Sequence, residues 1–186
     1  ENQHVGRTGA ESDTANGDIA IGRKVGGRGY DVVQLTLTNN TAAQLPNIRC
    51  KLDGKEFQFY ASATALQDIN DFYGRPADAN VYQLFFARPE MNDRALQRVT
   101  SIRTGDVQQF AIEMDISAGA VGPVIVAHGI ISEPGNVGLI TKVRRYPFAA
   151  AAGQNELVNI TQGPSIIAAH FYKSDVTALY VEDGGQ

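Results

Sequence analysis

The strongest constraint on this chain is a two-residue rhythm that recurs along most of its length. In Tyr30-Asp31-Val32-Val33-Gln34-Leu35-Thr36-Leu37-Thr38, residues Val33, Leu35 and Leu37 fall on one face, and Gln34, Thr36 and Thr38 on the other. Such alternation in β-branched company specifies a half-buried strand. Ile48, Cys50 and Leu52 alternate next, and Asp53-Gly54 follows as a tight-turn dipeptide before Phe57-Gln58-Phe59, so 48–60 reads as a hairpin. Further strand patterns fall at 81–87, 99–103, 107–116, 124–131 and 139–146, with Phe110, Ile112, Met114 and Ile116 on a shared face. One segment, 62–74, has helical spacing instead. Leu66, Ile69 and Tyr73 share a face, Ser62 or Thr64 can cap it and Gly74 stops it. About eight strands, one short helix and frequent turn signals predict an all-β fold, an antiparallel β-sandwich with Greek-key or jelly-roll wiring. A parallel α/β sheet would need helical patterns between the strands.

The 186 residues suit one domain of ordinary size, or one domain plus a fragment, and 43 % apolar content is enough for a real core. Sixteen basic against 20 acidic side chains give a formal charge of −4, which leaves no excess of cations for specific nucleic-acid binding. A single cysteine, Cys50, excludes an internal disulfide framework and a cysteine-based zinc site. No run reaches the roughly 18 apolar residues of a spanning helix, and the polar N-terminus shows no secretory leader pattern.

Residues 1–29 are rich in Gly, Asn, Ser, Thr and charge and read as an extended N-terminal arm; a disordered tail is the alternative. Residues 30–148 form the first jelly roll, and 149–164 a linker. From 165 to 186 the opening pattern returns: 166–172, a polar break, then Ala178 to Val181 and Asp183-Gly184, echoing 32–38 and 48–54. At a separation of about 130 residues, this reads as the opening strands of a second, incomplete jelly roll. So short a piece buries no core alone; its strands need more chain, the first roll or a neighbour to pair with.

Motifs that would carry chemistry are absent or misplaced. A metal-binding jelly-roll enzyme needs clustered histidines, but His128 and His170 lie 42 residues apart. No nucleophile elbow is present, and Cys50 sits on the inward face of its strand as a buried thiol. The Gly22–Gly29 run lacks the Lys-Ser/Thr end of a phosphate loop and precedes a strand. Asp68 and Asp71, three apart on the helix, fit a solvated face, while Glu113 and Asp115 point outward from the sheet without calcium-loop spacing. Lys142-Val143-Arg144-Arg145-Tyr146 is the most basic stretch, open to nucleic acid, lipid headgroups, a neighbouring subunit or plain solvation.

Several stretches carry a family resemblance: Gly29 to Leu35, Asn47 to Lys55, Phe85-Phe86-Ala87-Arg88-Pro89-Glu90-Met91, Glu113 to Ile116 with Ala120 to Pro123, Val143-Arg144-Arg145 and Ile167 to His170. In this order and at this spacing they resemble the major capsid protein of corticoviruses, tailless marine phages with an internal membrane. The resemblance spans about Gly29 to Gly184, and Phe-x-Arg-Pro-Glu-Met is its most specific phrase. It implies a double jelly-roll coat protein of the virion, present in the host cytoplasm during assembly, without catalysis. It implies a homotrimer packed against neighbouring capsomers in an icosahedral shell, with a penton or spike protein and the underlying membrane as further partners. No cofactor is required; calcium at subunit interfaces is a property of the family, without a matched ligand set here. Expected assembly contacts are the helix around Asp68 and Asp71, the loop Arg88 to Arg98 with Glu90, Asp93 and Arg94, and the basic pair Arg144 and Arg145. A competing reading is a carbohydrate- or receptor-binding jelly-roll module of a phage spike.

Overall fold

The alternating segments become strands that pair across long stretches of sequence. The computed structural model describes residues 16–19, 28–75, 78–147, 149, 151–158, 160–161, 165–172 and 176–180. Its strands are β1 (Asn16–Ile19), β2 (Gly29–Thr38), β3 (Pro46–Leu52), β4 (Lys55–Ser62), β5 (Val81–Phe85), β6 (Ile102–Arg103), β7 (Phe110–Asp115) and β8 (Val124–Ser132). One sheet runs β1-β7-β3-β4; in the other, β2 is flanked by β8 on one side and by β5 and β6 on the other. Every pairing between named strands is antiparallel. The helices are α1 (Ala63–Phe72) and α2 (Arg94–Gln97), with a short 3-10 turn at Ala42–Gln44.

The inward rows meet in one core. Val33, Leu35 and Leu37 of β2 join Ile48 and Cys50 of β3 and Ile112 and Met114 of β7. Tyr30 and Phe110 stack at 5.4 Å, and Phe86 meets Phe110 edge-on at 5.5 Å, a geometry aromatic rings prefer. Tyr30 and Val33 both reach this core although their positions differ in parity. A bulge between Tyr30 and Val32, seen in the pairing with β8, makes Asp31 the extra residue and resets the alternation. The β3–β4 turn is built from Asp53 (φ 47°) and Gly54 (φ 76°), both left-handed, as a tight two-residue hairpin turn requires. Asp53 Oδ1 also accepts the amides of Gln108 and Gln109, each at 2.8 Å, tying the turn to the start of β7. The Ser62 hydroxyl caps α1 by accepting the Ala65 amide at 3.1 Å. Leu66 then enters the core, and Gly74 (φ 62°) ends the helix.

Three expectations are corrected. Residues 139–146 form no strand: Ile140 and Val143, three apart, both pack on the core, and the segment makes a single parallel bridge to Gln58 of β4. The strand at 99–103 shrinks to β6, because the Val99 and Ser101 amides bond back three residues to Leu96 and Arg98 in turns that follow α2. The helix expected to stand alone is joined by α2, a single turn capped by Asp93. Of the expected N-terminal arm, 16–19 lie along β7 as β1; most of the rest of 1–29 lies outside the described residues.

The chain divides into two units, Glu1–Tyr146 and Pro147–Gln186. In the second, the Asn155 side chain closes a loop, accepting from the Ala151 amide at 2.9 Å and donating to the Ala151 carbonyl at 2.7 Å. The segments 165–172 and 176–180, where a second roll was expected to open, carry no strand ladder. An isolated hairpin lacks the area to hold itself in water.

Candidate assembly surface

The segment following β5 carries the most specific polar structure in the molecule. It is anchored from beneath by Asp31, a residue type depleted in strands and here 6 % exposed. The bulge turns Asp31 toward this segment. Its carboxylate accepts the Ser101 hydroxyl at 2.6 Å and Arg98 Nε at 3.1 Å, and its carbonyl accepts the amides of Phe86 and Ala87, both at 2.9 Å. Thr100 Oγ1 donates to the Phe86 carbonyl at 2.6 Å. Both ends of the loop are thus fixed to β2. Within it, the Arg88 amide donates to the Gln97 carbonyl at 2.7 Å, and Gln97 Nε2 donates to the Met91 carbonyl at 2.7 Å. Asp93 Oδ1 accepts the amides of Ala95 and Leu96 at 2.7 and 3.1 Å, an N-cap that nucleates α2.

Glu90 ties this loop to the end of α1. It accepts Arg88 Nε at 3.0 Å and Arg75 Nη2 at 3.2 Å. Arg75 lies 4.6 Å over each of the Tyr73 and Phe85 rings and donates to Asn70 Oδ1 at 3.3 Å, while Asn70 Nδ2 donates to the Gln83 carbonyl of β5 at 2.8 Å. Burial alone would raise the Glu90 pKa. Its own backbone amide and the guanidinium groups of Arg88 and Arg75 outweigh that and hold the carboxyl below its ordinary value.

The sequence-derived contact residues distribute unevenly around this cluster. Glu90, Asp93 and Arg94 lie on the locked loop. Asp71 is exposed on α1 and accepts Gln67 Nε2 at 2.8 Å; Asp68 is exposed one turn earlier. Arg144 and Arg145 are exposed beyond Val143, alongside β4, and no bond joins them to the loop. Sequence reasoning missed Asp31 and Arg75, and reached Arg98 only as the end of the expected loop and not as a partner of Asp31; these residues make the loop rigid. An acidic residue inside an otherwise apolar, β-branched strand was the signal available. Arg94, Arg98, Arg103 and Glu133 line an open depression of about 370 Å³ beside α2, which gives this end of the loop a basic rim.

No arrangement among the described residues points to a reaction. Cys50 is fully buried, and burial first, then the nearby Glu56 charge, push its thiol pKa up, away from a reactive thiolate. Among the described residues no three His, Cys, Asp or Glu side chains come together as metal ligands. Glu113 and Asp115 are instead ion-paired with Lys51 and Arg49 on the outer face of their sheet. No described helix is long and apolar enough to cross a membrane.

Comparison with known proteins places this architecture. The viral coat protein P2 N-terminal domain family matches residues 10–132. The major capsid protein P2 of Pseudoalteromonas phage PM2 is 27 % identical over 166 residues, covering 86 % of this chain and 62 % of the phage protein. The crystal structure of the major capsid protein P2 from bacteriophage PM2, a double jelly roll, matches with a TM-score of 0.60 and 26 % identity, over 73 % of this chain and 48 % of that one. This chain thus spans less than two thirds of the relative's length. The resemblance read from Gly29 onward is borne out, as is the jelly-roll sandwich, and these relatives are structural coat proteins, not enzymes. With the match running from the arm through the end of β8, the chain belongs to the viral coat protein P2 N-terminal domain family.

Proposed function

We propose that this chain is the shell-forming part of a major capsid protein. Its subunits associate in threes into pseudo-hexagonal capsomers that tile an icosahedral virion shell over an internal membrane. The observation that carries the reading is the family match over residues 10–132, most of the first unit. A surface whose polar groups lock loops, with none converging on a reactive centre, supports it. The locked loop 86–101 and the adjoining α1 are the contact regions, with Asp68, Asp71, Glu90, Asp93 and Arg94 at the joint and Arg144 and Arg145 forming a separate basic contact. A loop already ordered before association loses little further entropy on docking. Neighbouring capsomers, a penton or spike protein and the membrane are the partners, and host cytoplasm is where subunits collect before assembly. The described residues of one chain do not fit a calcium site; calcium at a subunit interface would draw ligands from more than one copy.

The test is the native mass of the intact protein, with and without calcium, beside its denatured mass. A native species at three times the denatured mass is expected. A monomer at every concentration would overturn the capsomer reading.

A further inference from the structure

The two sheets turn different surfaces outward. On the β3–β7 side the outward positions are charged and already paired: Arg49 with Asp115 at 3.4 Å and with Glu56 at 3.9 Å, and Lys51 with Glu113. These ions are matched within the chain and keep their solvent. The second sheet differs. Its register sets Val32 opposite Ile130, Gln34 opposite His128, Thr36 opposite Val126 and Thr38 opposite Val124, all on the face away from the core. Apart from Asp31 at the bulge, which is bonded to Ser101 and Arg98, no residue of β2, β5 or β8 is Asp, Glu, Lys or Arg. Val124, Val126 and Ile130 are 49, 40 and 38 % exposed, and half-buried His128, opposite Gln34, lies between the last two, so the outside of β8 is mostly apolar, interrupted by one imidazole.

That strand is also an edge. β8 pairs with β2 from Ser132 to Val124 and with no other strand among the described residues. Its sequence, Val-Ile-Val-Ala-His-Gly-Ile-Ile-Ser, contains neither proline nor a formally charged side chain. Soluble proteins protect long edges with charge, proline or a covering segment. The other sheet follows that rule at β4, where Val143 exchanges backbone bonds with Phe57 and Phe59 at 3.1 and 3.0 Å. Among the described residues β8 has no such protection.

We propose that the outer face of β2 and β8, with the open β8 edge at its margin, is a contact between copies of this chain. The inference rests on the capsid reading and names the surface that reading needs. Two arguments select a second copy as the occupant. The chain carries a formal charge of −4, so copies repel one another over most approaches, and a neutral face is where they meet without that repulsion and without stripping water from ions. A coat subunit must also present a surface that accepts its own kind, and the opposite sheet has committed its charges internally.

The experiment compares native mass against concentration for the intact protein, for Val126→Lys, and for Val121→Lys, a matched change at a loop position 83 % exposed. Wild type and Val121→Lys are expected to assemble alike, and Val126→Lys to need a concentration higher on the order of tenfold or more. Should the lysine variant fail to fold, Val126→Thr keeps the β-branched shape. With it, hydrogen exchange at β8 amides should show protection in the assembled state that is lost on dilution. Assembly of Val126→Lys at wild-type concentrations would overturn the inference and leave the capsid reading standing. An unchanged mass with a lowered unfolding midpoint would also overturn it, by showing the face covered from within one polypeptide. Amides of β8 that face away from β2, equally protected at every dilution, would do the same. A wild type that stays monomeric would sink the capsomer reading itself, and this contact with it.

Discussion

Replacing Asp31 with alanine tests whether the loop is held from below as the geometry indicates. The substitution leaves the bulge's backbone bonds in place, since the carbonyl of residue 31 still accepts the amides of Phe86 and Ala87. It removes two side-chain bonds. One leaves the Ser101 hydroxyl, in a residue 2 % exposed, without its acceptor, at about 1–3 kcal/mol. The other frees Arg98, whose side chain is 36 % exposed; water can replace the partner, so this part adds only about 0.5 kcal/mol. The total is about 2–3 kcal/mol, or a Tm lower by about 5–10 °C at this chain length. Urea unfolding of wild type, Asp31→Ala, Ser101→Ala and the double variant measures it. The double variant carries no orphaned hydroxyl and should cost less than the sum of the single changes by about 1 kcal/mol. Strict additivity, or an Asp31→Ala midpoint indistinguishable from wild type, would refute the reasoning. Asp31→Asn, which keeps an acceptor for Ser101, should fall between.

Three further outcomes follow from the same structure. Leu66→Ala should cost about 2–5 kcal/mol because Leu66 fills the core at 1 % exposure. Phe72→Ala on the same helix, at 71 % exposure, should change the unfolding free energy by about 0.5 kcal/mol or less; equal effects would mean that α1 is docked differently. The Glu90 carboxyl is held below its ordinary value of 4.5, so its stabilisation is present above that value and lost as pH falls through the lower folded one. Wild-type Tm should therefore drop more steeply below about pH 4.5 than that of Glu90→Gln, and parallel curves would count against the Arg75–Glu90–Arg88 cluster. Cys50, buried with its thiol pKa raised, should react with a thiol reagent only as fast as the protein unfolds; labelling of the native protein at the rate of a free thiol would contradict its burial.

Local information carried most of the sandwich. The alternation of β2 and β7, the Asp53-Gly54 turn and the Ser62 and Gly74 ends of α1 each depend on residues within one or two turns of chain, so they can be read without a partner. What failed depended on distance. β1 is a strand because Asn16 to Ile19 pair with Asp115 to Ile112, and nothing within those four residues announces it. Residues 139–146 alternate in sequence yet place Ile140 and Val143 together on the core. Residues 99–101 look like a strand until α2 bends the chain and the Ser101 and Thr100 hydroxyls find the Asp31 carboxylate and the Phe86 carbonyl. The loop between β5 and β6 was legible as a loop. Its rigidity was not, because Asp31 meets Arg98 and Ser101 across 67 and 70 residues.

That division bears on how such a surface works. Polar residues at a strand end are ordinarily mobile, and ordering a mobile loop at every subunit of a shell would oppose assembly once per copy. Here Asp31, Arg75 and Glu90 order the loop within the monomer, so that cost is met during folding. The same residues consume their charges internally and leave Arg94 and Asp68 on the outside. Affinity between subunits then has to come from somewhere other than the loop's own ion pairs, since exposed charges contribute little. On the proposed reading, the face of β2 and β8 supplies apolar area that the loop lacks, while the loop supplies fixed polar geometry. A subunit built this way separates the two demands of a lattice, attraction on one face and register at another, and substitutions in either place should be distinguishable by whether they change how tightly subunits associate or how regularly they pack.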